Sequence, residues 1–386
     1  MIEREGVRPV ALWCRRHGAL LAMVGVLMVT AWVASRVHHP GHAWGDDFSL
    51  YLRQAKGIVE GNASQVVGDN HFTVTTSGRP LFSPLIYPWG FPMMLSVFYK
   101  AFGMNYLQLK MGMVIIFCGY LWFFHLVLRR RMNQWVALAT ATAMATSLAY
   151  LRHTDYLLSE LPYMFAAAVA LWWLDHCRRK SRLHEATRHE LIVLGVLAMY
   201  VFNTRREGLA FIIAVGAVQL WDLRGQSRTA NWWRVGTPFM SFVGSLVLLQ
   251  LLLPSSLAPD TEKAGLGQTW KKLTGPWHRD FASQLGIPSL HGFWLFVVFA
   301  IAIAGLLWRL VTATRDDLGI AVFAVLSMTI VGMIDANSIR YLMSITPWAL
   351  YFGVQALSAL RVPRKERTRQ FGPIIAAAAM VLLVVH

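Results

Sequence analysis

Apolar runs of roughly bilayer length recur from one end of this chain to the other: 19–37, 106–128, 134–151, 159–175, 190–203, 207–222, 236–254, 291–311, 319–335, 341–360 and 371–386. A helix needs about 20 apolar residues to cross a membrane comfortably. Several of these runs are shorter, so their boundaries are set only to within a few residues. Only 15% of the residues are charged, against roughly 25% in ordinary soluble domains. The expectation is an all-α, polytopic transmembrane protein with one membrane domain over 1–386.

A twelfth apolar run, 88–102, is short, opens with Pro88 and Pro92, and contains Lys100. Charge decides how to read it. If it is re-entrant or interfacial, the Arg4–Arg16 segment, Arg129–Arg131, the Arg178–Arg188 cluster, Arg224–Arg234, Arg309 with Arg315, and the Arg361–Arg369 cluster all fall on one side. They hold most of the 36 basic residues, in short loops where the positive-inside rule applies. If 88–102 crossed fully, Arg129–Arg131 and every later cluster would change sides. The predicted topology therefore has about eleven spans, with the N-terminus in and the C-terminus out. The basic N-terminal residues and the run 19–37 resemble a signal peptide, but the run is long and no small-residue cleavage site follows; it reads as a retained first span.

The net charge of +16 lies between apolar runs and not on a soluble basic module, which excludes a nucleic-acid-binding domain. Cys14, Cys118 and Cys177 have no paired spacing for a metal or redox site. No repeat and no glycine-rich phosphate loop is evident. The largest non-spanning pieces are 38–105 and 255–290, both external.

Residues 45–61 follow the first span directly and open with Asp46 and Asp47. Phe48, Tyr51, Leu52, Ala55, Ile58 and Val59 recur at helical spacing, opposite Arg53, Gln54, Lys56 and Glu60. That pattern predicts an amphipathic helix of about four turns, suited to the membrane surface. One Asp there caps the helix and suits its dipole. The other is free to take a proton from an incoming hydroxyl.

The predicted topology places further charges on the same outer face: Asp155 and Glu160, Arg205–Arg206–Glu207, the 255–290 loop, and Asp335 with Arg340. Acids and arginines at span ends are costly unless they pair or work. The Pro- and aromatic-rich stretch from Arg79 to Pro92 reads as a stiff connector with Tyr87 and Trp89 at headgroup level, or as the wall of a lipid groove.

The Asp-Asp pair with Tyr51, Ala55 and Gly61, and the stretch Y-P-W-G-F-P…F-Y-K-A-F-G, resemble the GT-C superfamily of membrane glycosyltransferases. The resemblance is to its dolichyl-phosphate-mannose–protein mannosyltransferase-like and aminoarabinose-transferase-like families. Ser159–Pro162 (S-E-L-P) resembles their second acidic motif. Thr204–Leu209 (T-R-R-E-G-L) resembles their R-P-E-G turn, with Arg206 where Pro is usual, and Arg340–Pro347 resembles a late R-Y-L…P motif. The resemblance implies transfer of a sugar from a polyprenyl-phosphate donor with inversion, and a base at Asp46. Residues Asp47 and Glu160 would orient the acceptor or hold a cation.

A polyprenyl phosphate leaves as a stable anion, so its departure needs cationic donors and no general acid. Arginine suits that role through its planar fork; Arg205, Arg206 and Arg340 are the candidates. Ordinary pairing, of Arg205 or Arg206 with Glu207 and of Arg340 with Asp335, is the structural alternative. Asp155, Glu207, Tyr87 and Tyr341 are candidates for substrate contact, and 255–290 for a lid. The acceptor, a lipid, glycan or protein hydroxyl, is left open. No metal ligand set is assigned; His38, His39, His42 and His153 offer imidazoles for a divalent ion, without helical i, i+4 spacing. A transporter or flippase is the rival class, but it would place charges near the midplane of repeated, broken helices. Arginine greatly outnumbers lysine, which points to a bacterial inner membrane.

Overall fold

The computed structural model describes residues 7–42, 47–78, 85–179, 182–224, 231–255, 284, 300–307, 316–333 and 339–359, with no strand among them. The helices are α1 (Val7–Arg36), α2 (Asp47–Glu60), α3 (Ala63–Thr76), α4 (Gly90–Phe102), α5 (Tyr106–Leu128), α6 (Gln134–Thr146), α7 (Leu148–His153), α8 (Glu160–Cys177), α9 (Arg188–Thr204), α10 (Leu209–Asp222), α11 (Trp232–Leu252), α12 (Leu318–Met333) and α13 (Thr346–Ala359).

Helix α5 is the centre of the bundle and packs on α8, α1 and α6. Its Leu109, Phe117, Leu121 and Phe124 are fully buried. The facing helix α8 supplies Ala166, Ala167, Ala168 and Ala170, all buried. In a lipid-surrounded bundle, small residues of this kind let helices approach closely, and packing, not water exclusion, supplies the attraction. Beyond α8 lie α9, α10 and α12, with α11 laid against α9. The outer face of α11 exposes Trp233, Val243, Leu248 and Leu251, as a lipid-facing helix should.

The first loop contains three helices. Helix α4 has 13 residues, about 20 Å at 1.5 Å per residue, short of a bilayer core. It packs on α2, α5 and α9. A Cβ on Gly90 would lie 2.5 Å from the Thr204 hydroxyl and 2.6 Å from its amide nitrogen; a larger residue would have to push α4 away from the end of α9. A second, small core under α2 and α3 contains Leu50, Val66, Ile86 and Trp89.

Several expectations are revised. The run 134–151 is two helices, because Ser147 leaves the helical region (φ −64°, ψ 120°). Three described helices are long and apolar enough to span by length and composition: Gly18–Arg36, Tyr106–Leu128 and Trp232–Leu252. Helices α9, α10, α12 and α13 are 17, 14, 16 and 14 residues long; between α9 and α10 the residues Arg205–Gly208 are given to a polar turn. Most of 291–311 and all of 371–386 lie outside the described residues. The buried face of α2 is also rotated from the predicted one. Gln54 is fully buried because its amide donates to the Tyr87 carbonyl at 3.0 Å, while Val59 is exposed. Trp89 is no headgroup anchor: it is buried and its indole N–H donates to the Pro254 carbonyl at 3.0 Å.

Candidate active site

Each wall of the site begins as a local interruption of helix. Helix α8 starts at Glu160, with Pro162 in its first turn, where a missing N–H costs nothing and a carboxylate suits the helix dipole. Helix α9 stops at Thr204 because Arg205 turns extended (φ −152°, ψ 143°). A tight turn, Arg206–Gly208, then starts α10. At Gly208 a Cβ would lie 2.6 Å from the Val201 carbonyl carbon, so the corner requires glycine. Arg340 and Tyr341 sit on a second tight turn, Ile339–Ser344.

These interruptions bring side chains from distant segments into one chain of alternating charge. Asp47 accepts from the Tyr87 hydroxyl at 2.7 Å and pairs with the Arg340 guanidinium at 2.9 Å. Arg340 also lies 3.6 Å from the Glu160 carboxylate. Glu160 accepts from Arg205 at 2.6 Å, and Arg205 donates to Glu207 at 2.6 Å. The Ser159 hydroxyl joins this group, 3.2 Å from Arg205 and 3.1 Å from the Tyr51 hydroxyl. Tyr341 lies against both guanidinium groups, 4.9 Å from Arg205 and 5.4 Å from Arg340; such stacking adds to the hold on planar cations. Tyr51 stacks on Tyr87 at 4.4 Å.

Access differs across this hub. The Glu160 side chain is 3% exposed and that of Arg205 11%, whereas Arg340 keeps 20% and Asp47 27%. The open edge is therefore the Asp47–Arg340 pair. Burial opposes the charge on Arg205, and Glu207 and Glu160 more than restore it, so its pKa stands well above the usual value. Burial and the neighbouring Tyr51 and Asp47 push the Tyr87 phenol up, keeping it a hydrogen-bond donor.

Of the residues singled out from the sequence, Asp47, Glu160, Arg205, Glu207, Arg340, Tyr87 and Tyr341 meet in this hub. Asp46 lies outside the described residues, as do Asp335 and, apart from Ser255 and Gln284, the 255–290 loop. Arg206 has described partners on the α9 and α11 side: Asn203 at 3.2 Å, Ser255 at 2.9 Å, and the Phe202 ring at 4.6 Å. Asp155 belongs to another cluster. It accepts from Lys110 at 2.6 Å and from the His39 amide and ring at 3.0 and 2.9 Å, and Lys110 also donates to the His39 carbonyl at 2.7 Å. Burial alone would raise the Asp155 pKa, but the bonds from Lys110 and His39 outweigh it and hold the carboxyl low.

The histidines divide among separate tasks. His38 meets Thr154 at 3.0 Å, His42 accepts from the Leu157 amide at 3.0 Å, and His153 lies 3.3 Å from Glu160. Among the described residues no group of three or more His, Cys, Asp or Glu converges as a metal site. Sequence reasoning did not single out Lys110. Its signal was a lone lysine inside an apolar run, a position that is costly unless paired. His153 was noted only as an imidazole for an ion, and its partnership with Glu160 depends on the turn between α7 and α8.

No family model matches the sequence, and no curated protein matches it. Solved structures with the same fold do. ArnT from Cupriavidus metallidurans, bound to undecaprenyl phosphate, superposes with a TM-score of 0.56 at 14% identity, over 96% of this chain and 71% of that one. Its apo state gives the same values. The archaeal oligosaccharyltransferase AglB from Archaeoglobus fulgidus, in complex with an inhibitory peptide and a dolichol-phosphate, superposes with a TM-score of 0.52 at 12% identity. That match covers 97% of this chain and 55% of AglB. At such identities the likeness is one of fold: the chain shares the helical membrane-protein fold of these two solved structures.

Proposed function

We propose that this chain is an integral-membrane glycosyltransferase that moves a sugar from a polyprenyl-phosphate-linked donor to an acceptor hydroxyl on the non-cytoplasmic face of a bacterial inner membrane. The observation that carries the reading is the Arg340 guanidinium held between Asp47 at 2.9 Å and Glu160 at 3.6 Å at the open edge of the hub. A cation fixed there, yet still partly exposed, suits the phosphate of a lipid-linked sugar. The undecaprenyl phosphate bound by ArnT and the dolichol-phosphate bound by AglB are ligands of the same chemistry in the same fold.

In the proposed reaction Asp46 takes the proton of the acceptor hydroxyl. The oxygen attacks the anomeric carbon from the face opposite the phosphate. The bond from that carbon to the phosphate oxygen breaks with inversion, and the electron pair leaves on polyprenyl phosphate. Arg340 stabilises the charge as it develops. Arg205, bonded to Glu160 and Glu207, acts as a positioning residue that holds Glu160 against Arg340; Asp47 and Tyr87 hold the other side. Arg206 lines the approach from the α11 side. Asp155, with Lys110 and His39, fastens the exit of α1.

The test is transfer of labelled sugar from a polyprenyl-phosphate donor by the purified, reconstituted protein. Asp46→Asn should lose about 10²–10⁴-fold of the rate, the usual worth of a positioned base, with an unchanged melting temperature. Near-normal turnover by that variant would remove Asp46 from the mechanism. Vesicle uptake of the donor without transfer would instead favour a transporter or flippase.

A further inference from the structure

The hub is one of two charged clusters on α8. The other lies at the far end of that helix, 15 residues from Glu160 at Asp175, or about 22 Å along the axis. Here the loop after α5 and the end of α8 enclose a cavity of about 540 Å3. Five arginines line it, Arg129, Arg130, Arg131, Arg178 and Arg179, against the acids Asp175 and Asp316, the latter meeting Arg131 through its backbone carbonyl at 2.7 Å.

Those acids do not balance the arginines. The Arg131 fork takes both Asp175 oxygens at 2.5 Å, leaving Arg130 at 3.7 Å from the same group. Arg178 reaches Asp222 at 3.4 Å, outside the lining, and its side chain is 6% exposed. The Arg178 Nε is buried without a hydrogen-bond partner among the described residues. Leaving such a donor unmatched costs roughly 1–3 kcal/mol, more where the group is charged. Burial lowers the Arg130 pKa; Asp175 opposes that shift, and Arg131, Arg179 and Arg129 reinforce it. An anion in the cavity would relieve the repulsion among these arginines.

We infer that this cavity binds the phosphate of an anionic phospholipid headgroup, from the leaflet at this end of the bundle. Two features favour a lipid over a soluble phosphate. Leu126 and Trp172 form an apolar side of the cavity, and Trp172 packs on Phe123 and lies near His176, as aromatic side chains do at a membrane boundary. The arginines also stand directly after helix ends at the edge of the bundle, where basic pockets between transmembrane helices take lipid phosphates. The inference is independent of the chemistry proposed at the hub.

The test uses the full chain purified in detergent and native mass spectrometry with three probes: phosphatidylglycerol, phosphatidylcholine of the same acyl chains, and inorganic phosphate. Phosphatidylglycerol should give retained adducts that phosphatidylcholine does not, and millimolar inorganic phosphate should not displace them. The Arg129→Gln/Arg179→Gln pair leaves the Arg131–Asp175 bridge intact and should weaken phosphatidylglycerol retention about tenfold or more. Arg224→Gln, at the same end but outside the cavity, should leave retention unchanged. Equal retention of both lipids, or an Arg224→Gln effect matching the pair, would overturn the site. Displacement by inorganic phosphate would assign the cavity to a soluble anion and overturn the lipid. The lipid comparison on the unmodified protein stands even if the double variant folds poorly.

Discussion

The two ends of α8 use the same residue types to opposite effect. At the hub, three carboxylates alternate with two guanidinium groups, Asp47–Arg340–Glu160–Arg205–Glu207. At the other end, in the wall of the arginine-lined cavity, one arginine is almost wholly buried by its own protein partners. Arg131 takes Asp175 in a bidentate pair and lies 3.5 Å from Asp317, and Asp317 accepts from the Tyr351 hydroxyl at 2.6 Å. The Arg131 side chain is 4% exposed, against 20% for Arg340. A bidentate pair satisfied by its protein partners fixes helices, whereas one left open at an edge can exchange a protein partner for a ligand. The first should therefore report on stability and the second on turnover.

Replacing Arg131 tests the closed end and carries the largest expected stability effect. Arg131→Met removes the bidentate partner of the buried Asp175 carboxylate and the cation beside Asp317, and should cost about 3–5 kcal/mol, the usual penalty for breaking a buried pair. It should appear as a lower melting temperature in detergent, with transfer per folded molecule little changed. A melting temperature near that of the unmodified protein would put this end on the same footing as the hub.

Arg340→Lys tests the open end. A lysine keeps the charge but cannot span Asp47 and Glu160 with one planar group. Loss of a charged hydrogen bond of about 1.5–3 kcal/mol corresponds to a fall of about 10–150-fold in kcat/KM for the donor. The melting temperature should hold. A stability loss without a kinetic one would make Arg340 a strut like Arg131.

The smallest effect isolates geometry from charge. Gly90→Ala adds one carbon against Thr204, next to Arg205, and overpacking of this kind costs about 1–3 kcal/mol. A modest fall in melting temperature together with slower transfer would show that the hub depends on where α4 presses the end of α9. A stability change alone would confine that crossing to packing.

Helix positions were largely legible in the sequence because apolar periodicity is a local property. The predicted run 106–128 is helix α5 to the residue, and the predicted amphipathic stretch is α2. Gln54 and Trp89 were misplaced because their surroundings are not local. A glutamine on a helix reads as solvent-facing unless a carbonyl such as that of Tyr87 comes from elsewhere in the chain. The break at Ser147 was invisible for a related reason: its hydroxyl donates at 2.5 Å to the carbonyl of Gln284, 137 residues away.

The sequence by itself determined that this chain is helical and membrane-embedded, and that its charges gather at span ends. Those features follow from hydropathy, helical period and the cost of charge in lipid, all of which act within a segment. Only the tertiary structure decided which arginine meets which acid. The sequence offered Asp155 a place at the site and gave no local sign of what Arg340 meets from distant segments. Packing of α2, α8 and the two tight turns gave Arg340 to Asp47 and Glu160, and the crossing of α1 and α5 gave Asp155 to Lys110 and His39 instead. Pairing across hundreds of residues depends on how helices cross, and no local pattern encodes it.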